Sequence, residues 1–193
     1  NIKNSGTVQI GSTIQDIDKA VGLDGKSIDN NGEILLYGNN AAGIFSDDEN
    51  ADVTNNGRIE LNGNGGIGIS VTGGNTGAVT VTSSGQAYGI KNEAGSVENN
   101  AVITLNASNS YGILAKSIEN SGEIYINKSS GYGLAATDGG SITNYGSITA
   151  SGNANDGLYG KGSSSFHNEG NITIDGQGSW GLRSSSNVKT YNS

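Results

Sequence analysis

The sequence predicts an all-β fold, a three-sided right-handed parallel β-helix (a β-solenoid) of about eight coils of 20–26 residues. Three observations predict it. A string of Asn, any residue, Gly, any residue, aliphatic, any residue, aliphatic recurs along the whole chain. A Gly-aliphatic pair recurs once in each interval. Apolar residues are few but regularly spaced, and regular spacing at periods of 20–50 residues marks a stacked repeat.

The first string reads NNGEILL from Asn30, NNGRIEL from Asn55, NSGEIYI from Asn120, NYGSITA from Asn144 and NEGNITI from Asn168. Looser copies start at Asn4, Asn75 and Asn99, the last with Ala101 in place of Gly. Successive leading asparagines are 26, 25, 20, 24, 21, 24 and 24 residues apart. The second mark is Gly22-Leu23, Gly43-Ile44, Gly68-Ile69, Gly89-Ile90, Gly112-Ile113, Gly133-Leu134, Gly157-Leu158 and Gly181-Leu182. An aliphatic or aromatic residue two places before the leading Asn completes the unit, as at Ile2, Ile28, Val53, Val97, Ile118, Ile142 and Phe166.

Each element follows from these marks. Alternation of aliphatic and polar residues means a strand with one buried face. The expected columns are Val8, Ile34, Ile59, Val79, Ile103, Ile124, Ile148, Ile172; then Ile10, Leu36, Leu61, Val81, Leu105, Ile126, Ala150, Ile174; then Leu23, Ile44, Ile69, Ile90, Ile113, Leu134, Leu158, Leu182. A fourth runs from Ile2 and Ile28 to Phe166 and Val188. The leading Asn belongs at a corner, where it tolerates left-handed angles and its amide can bond the next coil. Stacked asparagines then form a ladder. The Gly two places later is read as supplying φ > 0. At about 4.8 Å per coil, eight coils make a rod roughly 40 Å long. Right-handedness is expected from the chirality of parallel crossovers.

Composition fits this architecture and excludes several functions. The 193 residues hold 33 Gly, no Pro, Cys or Met, and only 33% hydrophobic residues. An irregular globule needs more apolar side chains; about four inward side chains per coil suffice here, each worth roughly 1.5–3 kcal/mol on burial. A net charge of -8 argues against nucleic acid and anionic membranes as partners. Without Cys there is no disulfide, zinc-thiolate site or thiol nucleophile, and the compartment stays open. No run of about 18 apolar residues occurs, and the chain does not open on a signal peptide. Residues 1–193 read as a single solenoid segment. Both ends fall at the same phase without a polar capping repeat, so sequence is expected to continue on both sides.

Most motifs with a chemical reading have a plainer one. Gly63 to Gly68 matches GxGxxG, but no helix is expected after it. Gly65 to Ser70 approaches a calcium-binding nonapeptide, with Ser70 where the ligand Asp belongs. Asp47, Asp48, Glu49 and Asp52 form the densest acidic cluster; calcium there stays open beside a solvated loop. His167, the single histidine, is expected to point outward with no nucleophile beside it. Thr80, Thr104, Thr149 and Thr173 suggest an outward Thr column, interrupted by Gln9, Leu35, Glu60 and Tyr125. Asn106, Asn127 and Asn171 sit in sequons that arise by chance in so Asn-rich a chain. A polysaccharide-lyase-like enzyme needs carboxylates beside Lys or Arg on one face, and the ten basic residues are scattered. No catalytic residue, metal or cofactor is expected.

The aromatic residues carry the best binding signal. Tyr88, Tyr111, Tyr132 and Trp180 each stand just before a Gly-aliphatic pair, and Asp156 takes that place in one coil. Tyr residues on three successive coils are expected to form a stacked ridge, for sugar rings or a protein partner, unless they only pack the corner. Phe45, Tyr125 and Tyr159 are weaker outward candidates.

The units SIENSGEIYI (117–126), SITNYGSITA (141–150) and SFHNEGNITI (165–174), each after a Tyr-Gly or Asp-Gly pair, resemble passenger-domain repeats of Gram-negative type V autotransporters. The resemblance is greatest to the large fusobacterial outer-membrane adhesins, and it spans the chain. It implies a monomeric rod at the cell surface, anchored in the outer membrane through a C-terminal barrel outside this sequence. It also implies adhesion to a surface protein or glycan of a host cell or another bacterium. It transfers no binding residue. The alternatives are a structural spacer, with recognition elsewhere in the parent protein, and a β-helix glycan-active enzyme. Departures from the pattern fall at Gly11 to Ala20, at Ala101, and at Val71 to Asn75.

Overall fold

A strand of three to six residues has too few cross-strand bonds to persist alone. In the computed structural model each strand is completed by the same segment one coil away. The structure describes residues 1–193 apart from 73, 74, 77–79, 84, 187, 188 and 193, and for 75, 76, 80–83, 190 and 192 it describes the backbone alone. The named strands pair in parallel throughout, and no helix occurs among the described residues.

Each coil has three sides. The first side holds the strands that end on the corner Asn, such as Ser27–Asn30, Asp52–Asn55 and Ser165–Asn168. The second is an eight-stranded sheet from Thr7–Ile10 to Asn171–Asp175. The third holds Val21–Asp24, Ala42–Ser46, Gly66–Val71, Asp156–Gly160 and Trp180–Ser184. In three coils the third and first sides form one continuous strand, Ala87–Asn99, Tyr111–Asn120 and Tyr132–Asn144. The chain is a β-solenoid of about seven turns, against the eight coils expected. Eight stacked strands on the second side bound seven intervals.

The core is the set of expected columns. Leu23, Ile44, Ile69, Ile90, Ile113, Leu134, Leu158 and Leu182 pair in unbroken register. Ile34, Ile59, Ile103, Ile124 and Ile148 are fully buried, as are Leu36, Leu105 and Ile126. Three columns need correction. Val81, not Val79, lies opposite Ile59 and Ile103, and Ser83 lies opposite Leu61 and Leu105; Val79 is outside the described residues. The Thr column shifts with them, so Thr82, not Thr80, faces Thr104. Thr190, not Val188, lies opposite Phe166, and Val188 is outside the described residues.

The same slip affects Asn75. It pairs with Asp52 and Ser96, three positions before the corner, while Thr76 lies opposite Val53 and Val97. Matching the Asn-x-Gly string therefore put the corner too early.

At the other corners the Asn ladder stands as expected, but for only one of the two reasons. Asn4 Nδ2 donates to Asn30 Oδ1 at 2.7 Å. Asn30 bonds Asn55 in the same way. From Asn99 to Asn120, Asn120 to Asn144 and Asn144 to Asn168, each amide donates to the next at 2.8 Å. Each Nδ2 also donates to the carbonyl two residues on, as from Asn120 to Gly122. None of these asparagines has a positive φ. Nor do the glycines after them. They are needed for space: a Cβ on Gly146 would lie 2.0 Å from the Gly122 carbonyl oxygen. The Gly-aliphatic glycines also lack side chains for space, since a Cβ on Gly133 would meet Gly157 O at 2.6 Å and Ile148 Cγ2 at 2.8 Å. Left-handed angles instead gather at the turn into the third side, at Asn40, Gly65, Asn109, Ser130, Ala154 and Gly178.

Candidate functional site

The ridge residues sit on the outer surface of the third side because inward Gly and aliphatic residues follow them. Parallel register puts Tyr88 opposite Tyr111, Tyr111 opposite Tyr132, Tyr132 opposite Asp156, and Asp156 opposite Trp180. The three tyrosines stack. Ring centroids are 4.8 Å apart for Tyr88–Tyr111 and 4.6 Å for Tyr111–Tyr132, with interplanar angles of 12° and 14°. These distances match the spacing between coils, so the backbone sets the stack. Since the rings cover each other's faces, the stack presents edges and hydroxyls rather than open faces. Desolvation, reinforced by the neighbouring tyrosines, pushes the Tyr111 phenol up to about 12.

Asp156 interrupts the ladder, and the break is filled by Tyr159, a weaker candidate in the sequence, and by Arg183, which sequence reasoning missed. Tyr159 stands in the next outward column, opposite Ala135. Its ring lies 5.1 Å from that of Tyr132 at 55°. Arg183, one coil later, donates from Nε to Asp156 Oδ2 at 2.8 Å. Its guanidinium lies 5.0 Å from the Tyr159 ring centroid and 5.9 Å from that of Tyr132. The Asp156 side chain is only 3% exposed. Burial pushes its carboxyl above the usual range, and the Arg183 bond partly offsets this. In turn Asp156 holds the Arg183 guanidinium above its ordinary value. Trp180 is 57% exposed and stacks on no other ring among the described residues, so the structure groups Tyr88, Tyr111 and Tyr132 but leaves Trp180 apart.

Beside the ladder lies a groove of about 510 Å³. Tyr111, Tyr132 and Tyr159 line it, Leu114 and Ala135 also line it, and Glu93, Thr137, Asp138 and Lys161 complete it. Unequal loops build that polar end. Residues 93–95 and 137–140 bulge between the third and first sides, where the coil between them has Lys116 alone. The two loops meet over it: Thr137 Oγ1 donates to Glu93 O at 3.1 Å. Lys116 Nζ bonds the Asp138 carbonyl, and Lys91 pairs with Glu93 at 3.0 Å.

The other sequence candidates lie apart. His167 faces out, with Nε2 2.6 Å from Glu169 Oε1 and Tyr145 edge-on at 6.4 Å. Asp48 bonds Lys26 at 3.1 Å, and the Asn50 amide, with Lys26, holds its carboxyl below the usual range. No group of carboxylates and histidines is arranged to hold a metal among the described residues, Asp47, Glu49 and Asp52 included. The Gly63 to Gly68 motif runs into the strand Gly66–Val71. Phe45 is half-buried on the third side, and Tyr125 is on the second, donating to Glu123 Oε2 at 2.8 Å.

No protein-family model, no curated protein and no solved structure matches the chain.

Proposed function

We propose that this chain is a passenger segment of a cell-surface autotransporter that acts in adhesion, as a non-catalytic rod. The observation that carries the reading is the aligned Tyr88–Tyr111–Tyr132 stack beside an open groove on one outer side. The repeats recommend an autotransporter passenger: stacked coils form an extended rod held by local contacts. Many weak contacts along such a rod add through effective concentration. The partner is a protein or glycan on a host cell or another bacterium. The rod stands on the outer surface, anchored by a barrel outside this sequence.

The test is adherence of particles coated with the 193-residue protein to epithelial and bacterial surfaces, beside the Tyr111→Ala/Tyr132→Ala variant. Circular dichroism verifies that the variant keeps its β-structure. Adherence lost in the folded variant supports the reading. Wild-type particles that fail to adhere turn the assignment to a structural spacer.

A further inference from the structure

We propose that the groove beside the tyrosine ladder binds a carboxylate-bearing sugar residue of a glycan, an inference that names the ligand class for the adhesive reading and rests on it. Charge is unevenly distributed on this acidic protein. The chain has a net charge of -8 and only ten basic residues. One of them lines this groove, and three more contact residues of its wall. Lys161 lines it, Lys116 bonds the Asp138 carbonyl, Lys91 pairs with Glu93, and Arg183 covers the Tyr159 ring. The carboxylates beside them are Glu93, Asp138 and Asp156, and Asp156 is buried under Arg183. The locality therefore carries a surplus cation in an acidic protein. Lys161 has no ion-pair partner among the described residues. Its ammonium is free to meet an anion.

The groove also pairs apolar and polar surfaces. Leu114, Ala135 and the tyrosine edges give an apolar wall. Opposite them, Thr137 and Asp138 can bond hydroxyls. A sugar ring has an apolar C–H face and a rim of hydroxyls, and needs both. A volume of about 510 Å³ lies within the roughly 300–1,000 Å³ of small-ligand sites. An extended acidic peptide fits less well. Peptides added to a sheet pair with free backbone edges, and the backbone of these strands is already paired from coil to coil. Glu93 and Asp138 would also repel a second acidic residue.

The experiment is an NMR titration of the 193-residue protein with 3′-sialyllactose, a galacturonic acid trimer, lactose and a short poly-glutamate, repeated with Lys161→Gln and with Lys128→Gln as a control away from the groove. The expected result is binding of at least one acidic sugar about ten-fold tighter than lactose, with shifts at Tyr132 and Leu114. Lys161→Gln removes that preference and Lys128→Gln keeps it. The two acidic probes tell a sialic acid from a uronic acid. The proposal is overturned by equal binding of lactose and both acidic sugars, by poly-glutamate binding as tightly, or by an unchanged preference in Lys161→Gln. Coated particles that adhere while no sugar binds defeat this inference alone. Sugar binding without adherence defeats the adhesive reading alone.

Discussion

The ring of Phe166 occupies the space a side chain at Gly160 would need. A Cβ on Gly160 would lie 2.6 Å from Phe166 Cζ. One coil earlier the equivalent positions are Ala136 and Ile142. The larger ring and the missing methyl are thus coupled within one coil. Gly160→Ala is expected to destabilise by about 1–3 kcal/mol through overpacking. Adding Phe166→Ile recovers part of that loss, with a coupling of about 1 kcal/mol in urea unfolding. Additive effects would show that the two sites do not share space.

The buried Asn ladder predicts a sharp contrast between inner and outer asparagines. Asn120 accepts from Asn99 and donates to Asn144, each at 2.8 Å. Asn120→Leu leaves both neighbours short of a buried partner and is expected to cost about 2–4 kcal/mol. Asn31→Ala loses only exposed bonds, with Asp29 and Asn56, and is expected to change stability by less than about 0.5 kcal/mol. Chemical denaturation of the two variants measures the difference.

Asp156 and Arg183 form an asymmetric pair, 3% and 41% exposed in their side chains. Arg183→Met leaves a buried carboxylate alone. The expected loss at pH 7 is about 2 kcal/mol, below the roughly 3–5 kcal/mol of a fully buried pair because the arginine end is solvated. The Asp156 carboxyl is raised on folding, so its protonated form favours the fold. Its contribution is fully present below the unfolded value and is lost as pH rises through the folded one. Loss of Arg183 raises that carboxyl further, so the variant should recover stability on acidification toward pH 4. Thermal melts from pH 4 to 8 follow this, and a pH-independent deficit would contradict it.

Tyr111 sets the alkaline limit of the ladder. Its phenol rises from 10.0 to about 12 on folding. Its contribution is complete below pH 10 and is lost as pH climbs to about 12, because only the unfolded chain ionises easily there. Ultraviolet titration should find an ionisation near pH 12 that is absent from Tyr111→Phe, and that variant should flatten the loss of stability between pH 10 and 12.

Much of this was legible in the sequence. The column from Leu23 to Leu182 and the corner asparagines follow from period and alternation alone. Register failed at Asn75, Val79 and Val188, where a matching string or an apolar residue stood out of step with the paired strands. The Gly after the corner Asn was read as conformational freedom, whereas Gly146 provides room for the neighbouring coil. The tyrosine ladder was visible because each member precedes the Gly-aliphatic pair. Tyr159 stood out only as an isolated outward residue, and Arg183 and Lys161 did not stand out at all. They reach the site from other columns and later coils, through a gap opened by Asp156 and Ala135 and through unequal loops that no single repeat displays.

The most direct test of the proposed adhesion through the third side is a comparison of sides within one fold. Leu114→Glu places a charge in the groove of the third side, and Thr149→Glu places one on the exposed second side. Both proteins, verified as folded, are coated on particles and their adherence to cell surfaces is measured against wild type. Adherence lost in Leu114→Glu and kept in Thr149→Glu is the predicted result. Equal adherence of the two variants would contradict it and move recognition away from the tyrosine ladder.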